Sequence, residues 1–333
     1  MKKKYDVCGI GNAIMDYEIQ VKDTLLAQHG VEKGLMTLVD EIQQAKLIEA
    51  FGNQVVKKQS GGSGANTINA ISQLGGETFY SCKVANDEDG IRFLSDFNDV
   101  GIDTNLDQGT LVDGVTGKCL VMISEDAERT MNTYLGTSSD LSILDINGQA
   151  IMDSEYLFME GYLVSTNNGV NAMKAARKIA KEAGTRISLT FSDPAMVKYF
   201  GSNMHEIVDG GLDLLFANME EAQIFTGAES MDGVIHEIKK IARHFVITQG
   251  ADGSIVFDGE NLLEIAPHKV TAVDTTGAGD MFSGAFLYGI TNGLDFKKAG
   301  MLASLASSKV VTQYGPRLNK RQMQDIKSAS QLE

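Results

Sequence analysis

From Glu155 onwards the chain alternates between short apolar runs of strand length and longer segments with helical spacing. The strand-like runs are EYLFMEG, RISLTF, LDLLFAN and HFVITQG, followed by the pair GSIVFDG and ENLLEIA. Between them stand NNGVNAMKAARKIAKEAG, a helical stretch reaching Asp209, and further helical segments to Arg243. Two helices close the chain. Buried strands joined by crossover helices make a parallel sheet, because each helix returns the chain to the end where the last strand began. With 333 residues, 43% of them hydrophobic, there is enough apolar surface for one large domain. The expected class is α/β, with a mainly parallel sheet and helices on both faces.

The N-terminal half breaks this rhythm. YDVCGIG reads as a buried strand ending in glycines, and DYEIQV and LMTLV follow as two short strands before any long helix. DEIQQAKLIEAF places Ile42, Ala45, Ile48 and Phe51 at helical spacing, with Asp40 as N-cap. GANTINAISQLGG places Ala65, Ile68, Ile71 and Leu74 on one face, with Gly75 as the stop. GKCLVMISEDAERTMNTYLG reads as a hairpin about an acidic turn at Glu125 and Asp126. The early strands and the hairpin predict a small second sheet, a lid. It is drawn from segments 16–39 and 110–135 within a single domain spanning 1–333.

Charge and cysteine usage exclude several functions. Twenty-nine basic and 44 acidic residues leave a formal charge of −15, which disfavours nucleic acid and anionic membranes as partners. One nucleotide is still acceptable, because backbone amides and a metal hold a phosphate locally. Cys8, Cys82 and Cys119 are odd in number and widely spaced, so buried thiols in a reducing cytoplasm are expected. The five histidines are scattered without an HExxH pattern, so no zinc site is expected. MKKKYDV has no apolar run behind it, and no stretch approaches a membrane span. The expected setting is cytoplasmic.

One stretch carries chemistry: VDTTGAGDMFSGAFL, Val273 to Leu287. Phe282 and Phe286 lie one helical turn apart, so a helix starts near Gly277 to Asp280. Its first amides have no partner within the helix, and Gly277, Ala278 and Gly279 leave them almost bare. Such an N-terminus is an anion hole. A carboxylate beside it, Asp280, suits transfer of a phosphoryl group to a hydroxyl. The amides stabilise the moving group and the carboxylate takes the proton. The plain alternative is a turn capped by Asp274 or Thr276, but the glycines show no packing role in the sequence.

SGGSGAN is a second glycine motif, with Asn66 in the first turn of the helix that follows. Backbone here approaches a polyhydroxyl substrate, with Ser63 and Asn66 bonding its hydroxyls, or Ser63 simply caps the helix. Both readings stand. GIGNAI has Ile14 where a dinucleotide fingerprint needs a third glycine, and GxxxxGK[ST] is absent.

Taken in order, GNAIMD, GGSGAN, NDEDG, NMEEA, TQGADGS and DTTGAGDMFSGAF resemble the ribokinase-like (PfkB) family of sugar and nucleoside kinases over nearly the whole chain. The resemblance implies a three-layer α/β/α domain with a mainly parallel central sheet plus a small β-sheet lid. It implies ATP and Mg²⁺. Asp280 matches the family's catalytic base and Gly277, Ala278 and Gly279 its anion hole. Asn12, Asp16, Gly62, Ser63 and Asn66 match substrate-hydroxyl ligands. Asn218 and Glu221 match an N-x-x-E element that organises Mg²⁺ largely through water. Thr248 and Gly250 match a nucleotide-phosphate contact. Asp274 and Thr276, with carbonyls near Val310 and Gly315, match the place where many members hold K⁺. Monomer and homodimer both stay open.

The acceptor is read from fewer residues. Ribokinases usually have lysine after the two glycines, and Ser63 here is similar to adenosine kinases. Met131, Tyr134 and Leu135 are apolar enough to cover a purine. Glu160 in MEGYL puts a carboxylate near the expected pocket, which suits a sugar hydroxyl. Arg129 pairs either with a phosphate or with Asp126. The expected acceptor is adenosine or a similar nucleoside, ahead of a free sugar such as ribose, fructose or a keto-deoxy sugar. A non-catalytic nucleoside or nucleotide sensor is the third reading.

Overall fold

The computed structural model describes residues 2–34, 36–107, 109, 111–126 and 128–329; the side chain of Arg129, and so its expected pairing, lies outside the described residues. In chain order the strands are β1 (Tyr5–Ile10), β2 (Ile14–Gln20), β3 (Met36–Leu38), β4 (Val55–Gly61), β5 (Thr78–Ser81), β6 (Asp103–Thr104) and β7 (Thr116–Ile123). They continue as β8 (Arg129–Gly136), β9 (Ser154–Glu160), β10 (Arg186–Thr190), β11 (Leu212–Asn218), β12 (Ala242–Thr248), β13 (Ser254–Phe257) and β14 (Leu262–Ile265). Among the described residues they form a nine-stranded sheet, β14-β13-β12-β11-β10-β9-β1-β5-β6, and a five-stranded one, β3-β8-β7-β2-β4.

From β12 through β6 every neighbour in the large sheet is parallel, while β13 and β14 close one edge as an antiparallel pair. The period of two along each strand sorts its residues between two cores. Val7, Phe158, Leu214, Phe216 and Val246 join a cluster with the helices Ser63–Leu74, Ala278–Thr291 and Phe296–Val310. Cys8, Leu157, Met159, Leu215 and Ile247 join another with the helix Asn167–Ala183 on the opposite face. This is the three-layer arrangement that the resemblance implies, and both strand faces are dry because helices cover each one.

The small sheet is built differently. On β2, Ile14 and Asp16 face a cavity, while Met15, Tyr17 and Ile19 face away and join a buried cluster with Leu26, Leu47 and Phe51. The last three belong to the helices Asp23–Gln28 and Glu41–Phe51. Strand β4 comes from outside the two segments expected for the lid. Its sequence, VVKKQSG, has no apolar alternation, and its pairing is supplied by β2. Asp40 caps its helix through the amide of Gln43 at 2.8 Å, and Gly75 ends its helix in the left-handed region, as the sequence suggests.

The chain first leaves the large sheet for the small one at Gly11–Ala13 and first returns at Gly61–Gly62; it leaves again between β6 and β7 and returns between β8 and β9. The first two crossings touch. Gly62 has φ 100°, and a Cβ there would lie 2.6 Å from the Asn12 carbonyl oxygen. Only glycine allows both the dihedral and the approach.

Candidate active site

Between the two sheets lies a cavity of about 370 Å³, a size that takes a small-molecule ligand. Its floor is made of strand ends and helix starts of the large sheet. Its roof is the inner face of the small sheet: Ile14, Met36, Leu38, Cys119, Val121 and Met131. The cavity wall collects Asn12, Asp16, Gly62, Ser63, Asn66, Glu160, Asn218, Glu221, Thr248, Thr276 and the run Gly277–Asp280.

Asp280 sits in the first turn of the helix Ala278–Thr291, whose N-cap is Gly277 at φ 70° with no side-chain cap. Five other helices start with a side-chain cap. Asp87, Thr166, Asn218, Ser230 and Asp295 each accept a first-turn amide through the side chain. A side-chain cap would occupy the position where an anion meets the helix. Gly277 does have a packing role that the sequence hides, since a Cβ there would press into Pro316. Gly279 faces open space, with none of the described residues within 4 Å of where a Cβ would stand. Backbone at that point is open to a ligand.

Two donors from the other glycine motif converge on Asp280. Ser63 Oγ donates to Oδ1 at 2.6 Å and Asn66 Nδ2 donates to Oδ2 at 3.1 Å. Ser63 is therefore not the N-cap of its helix; Gly62 is, and the hydroxyl is turned into the site.

Asn12 is buried and pinned. Its Oδ1 accepts from Ser138 Oγ at 2.9 Å, and its carbonyl accepts from Tyr80 Oη at 3.0 Å. Glu160, 1% exposed, accepts from the Asn12 amide, and the Gly64 amide and Asn12 side chain also favour its charge. Burial outweighs these bonds and pushes its carboxyl up to about 8. Glu160 thus staples the crossing at Gly11–Ala13 to the start of the helix Ser63–Leu74.

Asn218 and Glu221 form a reciprocal capping box. Asn218 Oδ1 accepts the Glu221 amide at 2.8 Å, and Glu221 Oε2 accepts the Asn218 amide at 2.9 Å. Glu221 is 4% exposed. Burial first, then the neighbouring charges of Asp193, Glu220 and Asp280, raise it to about 8. Asp193 was not expected from the sequence. It ends β10's loop, caps the helix Pro194–Tyr199 through the Ala195 amide at 2.7 Å, and lines the cavity. The signal was available: Asp-Pro directly after a strand is a helix start.

Other expected residues stand back from the cavity. Gly250, Asp274, Val310 and Gly315 are not in its wall. Asp274, 2% exposed, organises the turn beside it: Oδ1 accepts the Thr276 amide and Oδ2 the Gly315 amide, each at 2.8 Å. Tyr134 does not cover the cavity. Strand period puts Met131, Thr133 and Leu135 inward, and Tyr134 Oη donates outward to Glu41 at 3.4 Å. The residue most hidden from sequence reading is Arg317, whose Nε donates to Asn66 Oδ1 at 2.9 Å.

The comparisons with known proteins assign this fold to a family. The model of the pfkB family of carbohydrate kinases matches residues 42–323, and the chain belongs to this family. Its members phosphorylate hydroxyl groups of sugars or nucleosides, using ATP with a divalent metal. The adenosine kinase of Saccharomyces cerevisiae is 23% identical over 328 residues, covering 92% of this chain and 95% of that protein. The ribokinase of Haemophilus influenzae is 27% identical over 265 residues, 77% of this chain and 82% of that one. Among solved structures, the adenosine kinase of Sinorhizobium meliloti is 32% identical with a TM-score of 0.91, covering 98% of this chain and 99% of that one. A probable sugar kinase of Rhizobium etli is 29% identical, also with a TM-score of 0.91 and the same coverage. Among the described residues no helix is long and apolar enough to cross a membrane.

Proposed function

We propose that the chain transfers the γ-phosphoryl group of ATP to a primary hydroxyl of an adenosine-like nucleoside. The observation that carries this reading is the meeting of Ser63, Asn66 and Asp280 at a bare helix start, beneath an apolar roof. The acceptor's sugar lies against Asn12, Asp16, Gly62 and Asn66, and its base lies under Cys119, Val121 and Met131. Asp280 takes the hydroxyl proton. The hydroxyl oxygen bonds to the γ-phosphorus, the bond to the β–γ bridging oxygen breaks, and ADP leaves with that electron pair. The Gly277–Gly279 amides hold the charge of the moving group. Thr248 and the loop at Gly250 receive the donor's phosphates.

The donor set suits a hydrated Mg²⁺. Glu221 and Asp193 are hard oxygen donors held near each other, and Glu221 is pushed up to about 8 partly by that proximity, a repulsion a cation relieves. Glu221 and Asp193 would hold such an ion through water, and it would supply charge neutralisation for the phosphates. Asp274, Thr276 and the carbonyls near Val310 and Gly315 are where K⁺ would order the loop. Glu160 already serves backbone amides, which favours a nucleoside over a sugar that needs this carboxylate for itself.

The test is ADP release with Mg-ATP, with and without K⁺, across adenosine, inosine, guanosine, ribose, fructose and 2-keto-3-deoxygluconate. Turnover on adenosine supports the reading. Turnover on a free sugar alone gives the acceptor role to Glu160. ATP binding without turnover on any acceptor leaves a sensor.

A further inference from the structure

We propose that Arg317 is a positioning residue for the base, holding the Asn66 amide so that its nitrogen, not its oxygen, faces Asp280. The inference rests on the kinase reading above. Arg317 lies beyond the last long core helix, 251 positions from Asn66, and belongs to none of the motifs. Its Nε donates to Asn66 Oδ1 at 2.9 Å, and its Nη1 donates to Ser60 Oγ. A guanidinium has only donors. The atom of Asn66 that meets it must be the carbonyl oxygen, which leaves the amide nitrogen for Asp280, 3.1 Å away.

This matters when the base changes state. While Asp280 is a carboxylate it accepts, and it favours the same orientation of Asn66. Once Asp280 has taken the substrate proton it becomes a donor, and a free amide would turn its oxygen toward it. Arg317 prevents that turn, so the amide keeps one orientation through the cycle. The guanidinium interacts electrostatically with Asp16, Asp96 and Asp280, and burial lowers it only to about 10, so it stays charged at neutral pH. It stands 5.8 Å from the centre of the Phe97 ring. Its Nη2 is buried and meets no hydrogen-bond partner among the described residues.

The test is a double-mutant cycle. Arg317→Met lowers kcat about 10–100-fold, with the KM for ATP nearly unchanged, and Arg317→Lys, which keeps a cation and a donor, recovers most of the loss. In an Asn66→Ala background, Arg317→Met adds less than about 2-fold, because it acts through Asn66. Full activity of Arg317→Met, or losses that multiply in the double variant, would overturn the proposal. Should the methionine variant fail to fold, Arg317→Gln takes its place in the cycle, with the same two outcomes deciding. One readout needs no turnover: the side-chain amide resonances of Asn66 in ¹⁵N-asparagine protein move in the Arg317 variant. Unmoved resonances overturn the link, whereas a wild type inactive on every acceptor overturns the kinase reading instead.

Discussion

The two walls of the cavity are built by opposite rules. The floor is polar and assembled from short local motifs: the glycine-capped start at Gly277–Asp280, and the capping box of Asn218 and Glu221. The roof is apolar and gathers single residues from β2, β3, β7 and β8, each contributing every second side chain. In the proposed reaction the floor holds the groups that move a proton and a phosphoryl group, and the roof has only to fit an acceptor. On that reading chemistry is concentrated where a few consecutive residues suffice, and specificity where the sheet pairing decides.

Breaking the floor has the largest expected effect. Asp280→Asn lowers kcat by about 10²–10⁴ while the KM values change little, as expected for a lost general base. A variant with normal turnover and an unchanged melting curve would remove Asp280 from that role. Glu221→Gln comes next: the Mg²⁺ needed for half-maximal rate rises about 10-fold, measured by titrating the metal at fixed ATP. An unchanged titration would mean that Glu221 only caps its helix.

The roof sharpens the contrast. Met131→Ala removes apolar contact above the acceptor and raises the nucleoside KM roughly 10-fold, leaving kcat and the KM for ATP in place. A fall in kcat with no change in nucleoside KM would mean that the roof does not read the acceptor.

The smallest effect lies at the seam between the walls. Glu160 titrates near 8 in the fold, above the 4.5 of a free glutamate. Between those values the native state binds more protons than the unfolded chain, so this group's stabilisation is complete below the lower value and is lost as pH rises through the upper one. Glu160→Gln removes that slope. Its melting temperature relative to wild type rises by roughly 2–5 °C from pH 5 to about pH 8.5. Parallel melting curves would show that Glu160 does not titrate in this window.

Much of the fold was legible because burial on both faces writes continuous apolar runs, as in Leu157–Met159 of β9. β4 was not legible, since an edge strand of the small sheet needs no apolar alternation of its own. Tyr134 was misread by counting apolar residues instead of strand period. Gly277 looked free of packing because Pro316, its neighbour in space, lies far along the chain.

The sequence alone determined the alternation of strands and helices from Glu155 onwards, the bare helix start before Asp280, and the N-x-x-E spacing that brings Asn218 and Glu221 together. Each of these is set by dihedral preference or by hydrogen bonds within a few residues. Only the tertiary structure decided what faces Asp280. Ser63 and Asn66 reach it across 217 and 214 positions, and Arg317 reaches Asn66 across 251. Such meetings depend on which strand end each crossover returns to and on which face the period of two then presents, and no local pattern carries that information.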